Sequence, residues 1–217
     1  RRASLHLPPA PHSGLLAPPA RPRKPWPLLV GLFVVLAIGF WNSTHDSIWV
    51  DEAYTMSTTS SGPVNAFHQA IEVERQAPIY FVAVSVWRLG SDSLTFVRLF
   101  STLCNLLSLV LLDRLGGLLG ISNRHWSLGL LAGLTPQMLW AASEARSYAL
   151  LILLVSFTLY TSALLWLREG AASRAVGVAY VASASLAVLT FYYAAFVIAG
   201  QALTNLIRRD RRAFWVW

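Results

Sequence analysis

The segment Ser47-Ile48-Trp49-Val50-Asp51-Glu52-Ala53-Tyr54-Thr55 places two adjacent carboxylates between tryptophan and tyrosine, just after the first long apolar run of the chain. Trp and Tyr are enriched where a bilayer meets water, whereas Asp and Glu are costly at greater depth. The segment therefore predicts a carboxylate pair at a membrane surface, where a substrate with a lipid tail and a polar head can reach it. A simpler interpretation is that Asp51 and Glu52 begin a short interfacial helix, whose N-terminal dipole favours negative charge.

The composition of the chain indicates a polytopic membrane protein. Of its 217 residues, 55% are hydrophobic and 12% are charged, whereas an average soluble domain has about 25% charged residues. The net charge of +7 does not call for a nucleic-acid partner, because the basic residues are grouped between apolar runs, as in cytoplasmic loops beside anionic lipid. Cys104 is the only cysteine, which excludes a disulfide framework and a cysteine-based metal site.

The two ends of the chain differ from its middle. Residues 1–25 are rich in proline and arginine and cannot build a core, so we expect a disordered cytoplasmic tail. The last residues, Phe214-Trp215-Val216-Trp217, read as the beginning of another apolar run. We therefore expect 26–217 to be the N-terminal part of a longer transmembrane domain.

Six apolar runs follow the tail, and most approach the roughly 17–25 residues that a helix needs to span a bilayer. They lie at about 26–41, 94–112, 126–142, 147–167, 175–193 and 194–207. Pro136 should kink the third run, because proline lacks the backbone N–H that continues a helix. The amides of Asn105, Gln137 and Gln201, inside these runs, indicate hydrogen bonds between helices.

A mixed segment, 42–93, separates the first two runs, and its apolar piece 77–89 decides the topology. If 77–89 stays in the interface, 13 of the 17 basic residues face the cytoplasm; if it crosses, the split is 8 inside and 9 outside. The positive-inside rule favours the first arrangement, and the eleven-residue run Ala77–Trp87 is short for a span. We therefore predict an all-α transmembrane helix bundle with interfacial helices in an outer loop, 42–93.

This topology gathers acidic residues at the outer face, where we expect a functional site. They are Asp46, Asp51, Glu52, Glu72, Glu74, Asp92 and Glu144. Glu144 and Arg146 lie in the next outer turn, where ionisable groups usually face a cavity and a partner. Arg146 pairs either with Glu144 or with a phosphate, which its guanidinium suits; a tight loop whose charges simply reach water is the alternative.

A metal site made by the protein alone is not predicted, because the histidines show no tight metal-ligand spacing. A divalent ion held jointly by Asp51, Glu144 and a substrate phosphate is the alternative that the sequence leaves open, since hard cations need few protein carboxylates.

Four stretches, taken in order, resemble a known family. They are Trp49–Thr55 after the first span, Ala77-Pro78-Ile79-Tyr80, Val97-Arg98-Leu99-Phe100-Ser101 entering the second span, and Glu144–Leu150 at the next outer turn. With these stretches the chain, over about residues 26–207, resembles the N-terminal part of a GT-C superfamily membrane glycosyltransferase. The most similar group is that of the protein O-mannosyltransferases and lipid A aminoarabinose transferases.

The resemblance implies a sugar donor carried on a polyprenyl phosphate. Transfer would reach an acceptor hydroxyl on a protein, lipid or glycan at the periplasmic or extracellular face of a bacterial plasma membrane. It implies that Asp51 is the catalytic base and that Glu52 supports it or helps to bind a metal. Glu144 matches the second acidic position, with Arg146 and Tyr148 near the donor phosphate.

The chain departs from the family pattern before Pro78, where relatives often carry a histidine or lysine and this chain has Gln76-Ala77. Arg75 is the candidate substitute for phosphate binding, although Glu74 and Arg75 also suit a solvated ion pair. The departure puts metal dependence in doubt. A transporter or flippase of lipid-linked sugars, or a non-catalytic membrane subunit, is the alternative function.

Overall fold

The computed structural model describes residues 24–122, 125–167 and 171–207, and all regular secondary structure within them is helical. The helices are α1 (Trp26–His45), α2 (Val50–Thr58), α3 (Pro63–Glu72), α4 (Ile79–Trp87), α5 (Leu94–Leu118), α6 (Leu128–Gly133), α7 (Pro136–Ser143), α8 (Tyr148–Leu167), α9 (Ala171–Thr190) and α10 (Ala194–Ile207). Most of the predicted tail 1–25 lies outside the described residues.

Three helices of the described chain, α1, α5 and α8, are long and apolar enough to cross a membrane. At about 1.5 Å per residue, 20 residues cover the roughly 30 Å of a hydrocarbon core. The described parts of α9 and α10, Arg174–Thr190 and Ala194–Thr204, are apolar but shorter. The helical fold and these three helices indicate a membrane protein.

The third apolar run is not the single kinked helix that we predicted, because it breaks completely at Leu134 and Thr135. Pro136 is the first residue of α7, and the Thr135 hydroxyl accepts a hydrogen bond from the backbone N–H of Met138. A proline at the first helical position needs no N–H partner, and a threonine before it is a good N-cap. The two residues together therefore begin a new helix instead of bending an old one.

The short helix α6 packs unusually close to α1 and α5. A side chain added at Gly129 would meet the Leu109 carbonyl oxygen at 2.7 Å, and one added at Gly133 would meet Gly31 at 3.3 Å. Two glycines four residues apart let helix backbones approach closely.

The first long loop begins and ends at the same end of the bundle. Arg98, near the N-terminus of α5, donates hydrogen bonds to the carbonyl oxygens of Ser43 and Asp46 at the C-terminus of α1. Within the loop, α4 has nine residues, or about 14 Å of helix. A helix of this length is shorter than the roughly 17–25 residues that a membrane span needs. We call this end, where α1 and α7 finish and α5 and α8 begin, the site end.

The sequence predicts that 77–89 is the interfacial helix of the loop. The helix of the loop that exposes a stripe of apolar side chains is a different one. In α4, Tyr80, Phe81 and Val84 are buried against neighbouring helices. The exposed apolar stripe lies instead on α3, at Val64, Phe67 and Ile71, with Ala66 and Ala70 facing the protein. The difference arises because α3 is only partly covered by its neighbours, whereas α4 is wedged between them.

Two of the three amides predicted to bond between helices do so. The Asn105 side chain of α5 donates to the Met138 carbonyl of α7. Gln201 of α10 accepts from the Tyr180 hydroxyl and donates to the Thr158 hydroxyl, which joins α10 to α9 and α8. The third, Gln137, is exposed.

We expect opposite ends of the bundle to lie on opposite sides of a membrane. In intact cells, a cysteine at the exposed position Glu72 should react with an impermeant thiol reagent, and one at Ile121, after α5, should not; native Cys104 is buried and serves as the background control. Equal labelling of both positions, measured by mass shift, would contradict this arrangement.

Candidate functional site

A buried ion pair between Glu52 and Arg98 organises the site end. The two carboxylate oxygens of Glu52 accept hydrogen bonds from Nε and NH2 of Arg98 at 2.9 and 2.6 Å. Glu52 is 0% exposed and Arg98 is 2% exposed. Such a bidentate pair is directional as well as strong, so it fixes α2 against α5.

The same pair also holds the backbone of two further chain segments. Arg98 donates to the Asp46 and Ser47 carbonyl oxygens at 2.8 and 3.1 Å, just past the end of α1. The backbone N–H of Ala145 donates to Glu52 Oε1 at 2.9 Å. The turn that contains Glu144 and Arg146 is therefore attached directly to the buried carboxylate.

Asp51 and Arg146 form a second, more exposed pair at this end. Asp51 Oδ2 lies 3.4 Å from Arg146 NH2, and the Asp51 side chain is 54% exposed. Arg146 NH1 donates to the Asp51 backbone carbonyl at 3.4 Å. These long distances describe a loose contact, which a solute with stronger acceptor groups can exchange.

Glu144 is held by an aromatic side chain instead of a cation. Its Oε2 accepts a 2.7 Å hydrogen bond from the indole N–H of Trp49, the residue before α2. Partial burial raises the pKa of the Glu144 carboxyl, and the nearby negative charge of Glu52 adds to this effect, while the Trp49 hydrogen bond opposes it. A carboxylate with a raised pKa exchanges protons more readily near neutral pH.

The structure brings some predicted site residues together and leaves others apart. Asp51, Glu144 and Arg146 share the site end, whereas Glu52, predicted to assist Asp51 or to hold a metal, is enclosed beneath them by Arg98. Tyr148 begins α8 and its ring contacts Trp140 and Phe191, at centroid distances of 5.1 and 6.1 Å.

Arg75 forms no ion pair with the other predicted site residues. It lies exposed between α3 and α4 with a positive φ of 54° and makes no ion pair within the described residues. The alternative pairing of Arg75 with Glu74 is not formed either, because Glu74 accepts instead from the Thr58 hydroxyl at 3.0 Å.

The donor set fits an anion better than a divalent metal. No group of three or more His, Cys, Asp or Glu side chains converges anywhere in the described ranges. Arg146 faces the Asp51 carboxylate, with NH2 3.4 Å from Oδ2. The remaining donors of such a guanidinium suit phosphate or carboxylate oxygens.

Arg98 and Trp49 are the site-end residues whose roles the sequence did not reveal. In the sequence, Arg98 stands out only as part of the motif Val97-Arg98-Leu99-Phe100-Ser101. The available signal was its position within a long apolar run, where an arginine needs a partner. Nothing in the sequence identified Glu52 as that partner in preference to Asp51.

Comparison of the chain with models of protein families, with curated proteins and with solved structures finds no significant match.

We expect replacement of Glu52 to destabilise the fold severely. Glu52→Gln leaves the Arg98 charge buried without its counter-ion, which typically costs about 3–5 kcal/mol of unfolding free energy. The double variant Glu52→Gln/Arg98→Leu should recover part of this loss. Thermal unfolding in nanodiscs measures the effect, with Glu72→Gln on the exposed face of α3 as control. An unfolding midpoint of Glu52→Gln equal to that of the control would contradict the stabilising role of the Glu52–Arg98 ion pair.

The raised pKa of Glu144 predicts a pH-dependent effect of Glu144→Gln. Because folding disfavours the ionised form, native stability falls as pH rises from the unfolded carboxyl pKa, about 4.3, through the higher folded pKa. The Gln side chain does not titrate and can still accept from Trp49. The thermal unfolding midpoint of Glu144→Gln minus that of wild type should therefore be largest at neutral pH and decrease toward pH 4. If this difference increases as the pH is lowered, the predicted direction of the Glu144 effect is wrong.

Proposed function

We propose that this protein is a polytopic GT-C-like membrane glycosyltransferase, which moves a sugar from a polyprenyl-phosphate donor to an acceptor hydroxyl. The observation that carries the proposal is the exposed Asp51–Arg146 pair, which lies beside the Trp49-bound carboxylate of Glu144. This cluster occupies the end of helices that are long and apolar enough to cross a membrane. Transfer then takes place at the outer, periplasmic or extracellular face of a bacterial plasma membrane.

The two charges of the pair match the two changes of charge in such a transfer. The acceptor hydroxyl must lose a proton as its oxygen attacks the anomeric carbon, and a nearby carboxylate is a suitable base. The bond between the anomeric carbon and the phosphate oxygen breaks at the same time, and the lipid phosphate leaves with additional negative charge. A guanidinium that neutralises this charge removes the need for an acid catalyst.

Each residue has a distinct role in this proposal. Asp51 is exposed and takes the proton, and Arg146 contacts the donor phosphate. Glu144 is the second acidic group and lies where hydroxyls of the bound sugar or acceptor can reach it. Glu52 acts through Arg98, by holding the Ala145 backbone and thereby the turn that carries Glu144 and Arg146; it is a positioning residue.

The position of the cluster favours a lipid-linked donor over a soluble one. The Trp49 and Tyr54 rings flank the carboxylates and are each about half exposed, as in the aromatic belts at membrane surfaces. A donor whose isoprenoid chain lies among the spans presents its phosphate and sugar at this level.

The location of the charges favours surface chemistry over passage through the membrane. A transporter binds its cargo near the middle of broken spans. Here the charged residues of α5 lie toward its two ends, at Arg98 and at Asp113 and Arg114, and the described part of α8 has no Asp, Glu, Lys or Arg.

We expect Asp51→Asn to lower transfer by about 10²–10⁴-fold, the usual contribution of a general base. The assay follows release of labelled sugar from a panel of polyprenyl-phosphate sugars by membranes that contain the full-length gene product, at matched expression. Glu72→Gln, an exposed acidic position on the same loop, serves as control. If Asp51→Asn keeps wild-type activity, another residue is the general base. If the wild-type protein is inactive with every donor, the proposed transferase activity is wrong.

A further inference from the structure

The indole ring of Trp49, at the site end, has its polar atom occupied and much of its carbon surface free. Its Nε1–H donates to Glu144 Oε2 at 2.7 Å, and an indole has no other hydrogen-bonding group. The residue is nevertheless 52% exposed. The ring therefore presents carbon surface to a solute, although the side chains beside it in the site are charged.

The position of this ring is fixed from both ends of the residue. Trp49 precedes α2 with an extended backbone, at φ −115° and ψ 171°. Its carbonyl oxygen accepts from the backbone N–H groups of Glu52 and Ala53, each at 3.0 Å. At the other end, the indole is bonded to Glu144 in the turn before α8. A ring held in this way loses little freedom when a ligand packs on it, so less of the binding energy is spent on ordering it.

A tryptophan that only anchors a protein in a membrane surface is arranged differently, because its N–H faces water while its ring lies in the apolar layer. Trp41, near the end of α1, is the exposed tryptophan to compare. It is 62% exposed, and its ring stacks on that of His45 with centroids 4.0 Å apart. Trp49 instead turns its N–H to a carboxylate of the site, and no aromatic ring of the described residues stacks on it.

The groups near the ring indicate the class of ligand that fits it. Asp51 lies two positions after Trp49, and its carboxylate contacts Arg146 at 3.4 Å. Carboxylates accept hydrogen bonds from hydroxyl groups, and a guanidinium suits phosphate oxygens. A pyranose sugar has C–H groups on its faces and hydroxyls around its rim. Its C–H hydrogens are slightly positive and suit the negative face of an aromatic ring, while its hydroxyls suit the carboxylates.

We propose that the sugar ring of the donor stacks on the indole of Trp49. This inference rests on the proposed function and deepens it, because it names the residue that recognises the sugar part of the donor. The sugar and the phosphate then contact different residues, Trp49 and Arg146. The hydrogen bond from Trp49 to Glu144 keeps the ring in place, so Glu144 is also a positioning residue for the sugar.

Trp49→Leu and Trp49→Phe together test the proposal, because both lose the N–H that Glu144 accepts and only phenylalanine keeps an aromatic ring. The Kd of the full-length protein in nanodiscs is measured for polyprenyl phosphate and for a panel of polyprenyl-phosphate hexoses. Trp49→Leu should weaken binding of the hexose donors by about three- to tenfold, as for one lost aromatic contact. It should leave the Kd of polyprenyl phosphate unchanged, and Trp49→Phe should recover most of the lost affinity.

Trp41→Leu is the matched control, since it removes an exposed tryptophan from the same end of the bundle, and it should bind both kinds of ligand as wild type does. Equal weakening of polyprenyl phosphate and of the hexose donors in Trp49→Leu would overturn the proposal, because Trp49 would then serve as a membrane anchor. Trp49→Phe binding as weakly as Trp49→Leu would also overturn it, since the hydrogen bond to Glu144 would then matter and the ring face would not.

Soluble methyl hexosides, as a third class of ligand, distinguish this inference from the proposed function. If Trp49→Leu binds the hexose donors as tightly as wild type, or wild type binds them no more tightly than polyprenyl phosphate, the stacking contact is wrong and lipid-phosphate binding stands. If wild type binds methyl hexosides but no polyprenyl phosphate, and Trp49→Leu loses that binding, the stacking contact stands and the lipid-linked donor is wrong. A wild type that binds none of these ligands overturns both.

Discussion

The buried ion pair between Glu52 and Arg98 is the interaction on which the site end depends. Neither charge reaches water, so each is stable only while the other is in place and the remaining donors and acceptors are satisfied. Those remaining bonds go to the end of α1 and to the backbone of Ala145. One pair thus joins three parts of the chain that are distant in sequence, the segment from Asp46 to Glu52, Arg98 of α5 and the turn at Ala145.

This constraint explains why two adjacent acidic residues have unlike environments. Successive positions of an α-helix point about 100° apart, so Asp51 and Glu52 cannot both face the same partner. Glu52 turns inward to Arg98, and Asp51 consequently faces the surface, where it meets Arg146. The buried carboxylate of Glu52 and the exposed carboxylate of Asp51 therefore both follow from the geometry of one helix.

The site end retains features that do not favour stability. Glu144 is partly buried with a raised pKa, the Asp51–Arg146 contact is long, and the Nε–H of Arg146 is buried without a hydrogen-bond acceptor in the described chain. Elsewhere the helices are joined by close glycine contacts and by side-chain amides, such as Gln201, which bonds to both Tyr180 and Thr158. A partly buried carboxylate and a loose ion pair side by side are typical of a binding site.

The sequence by itself determined the helical class, the approximate positions of the long apolar helices and the grouping of Asp51, Glu144 and Arg146 at one end of the bundle. These follow from composition, run length and charge asymmetry, which are local or additive properties. It also predicted that 77–89 does not cross, because that piece is too short.

Only the tertiary structure decided which acidic residue pairs with which arginine, since pairing depends on the register of helices that lie far apart in the chain. Glu52 and Arg98 are 46 positions apart, and no pattern in either segment distinguishes Glu52 from Asp51 as the partner. The burial of α4 was likewise decided by its neighbours, because burial belongs to contacts and not to single positions.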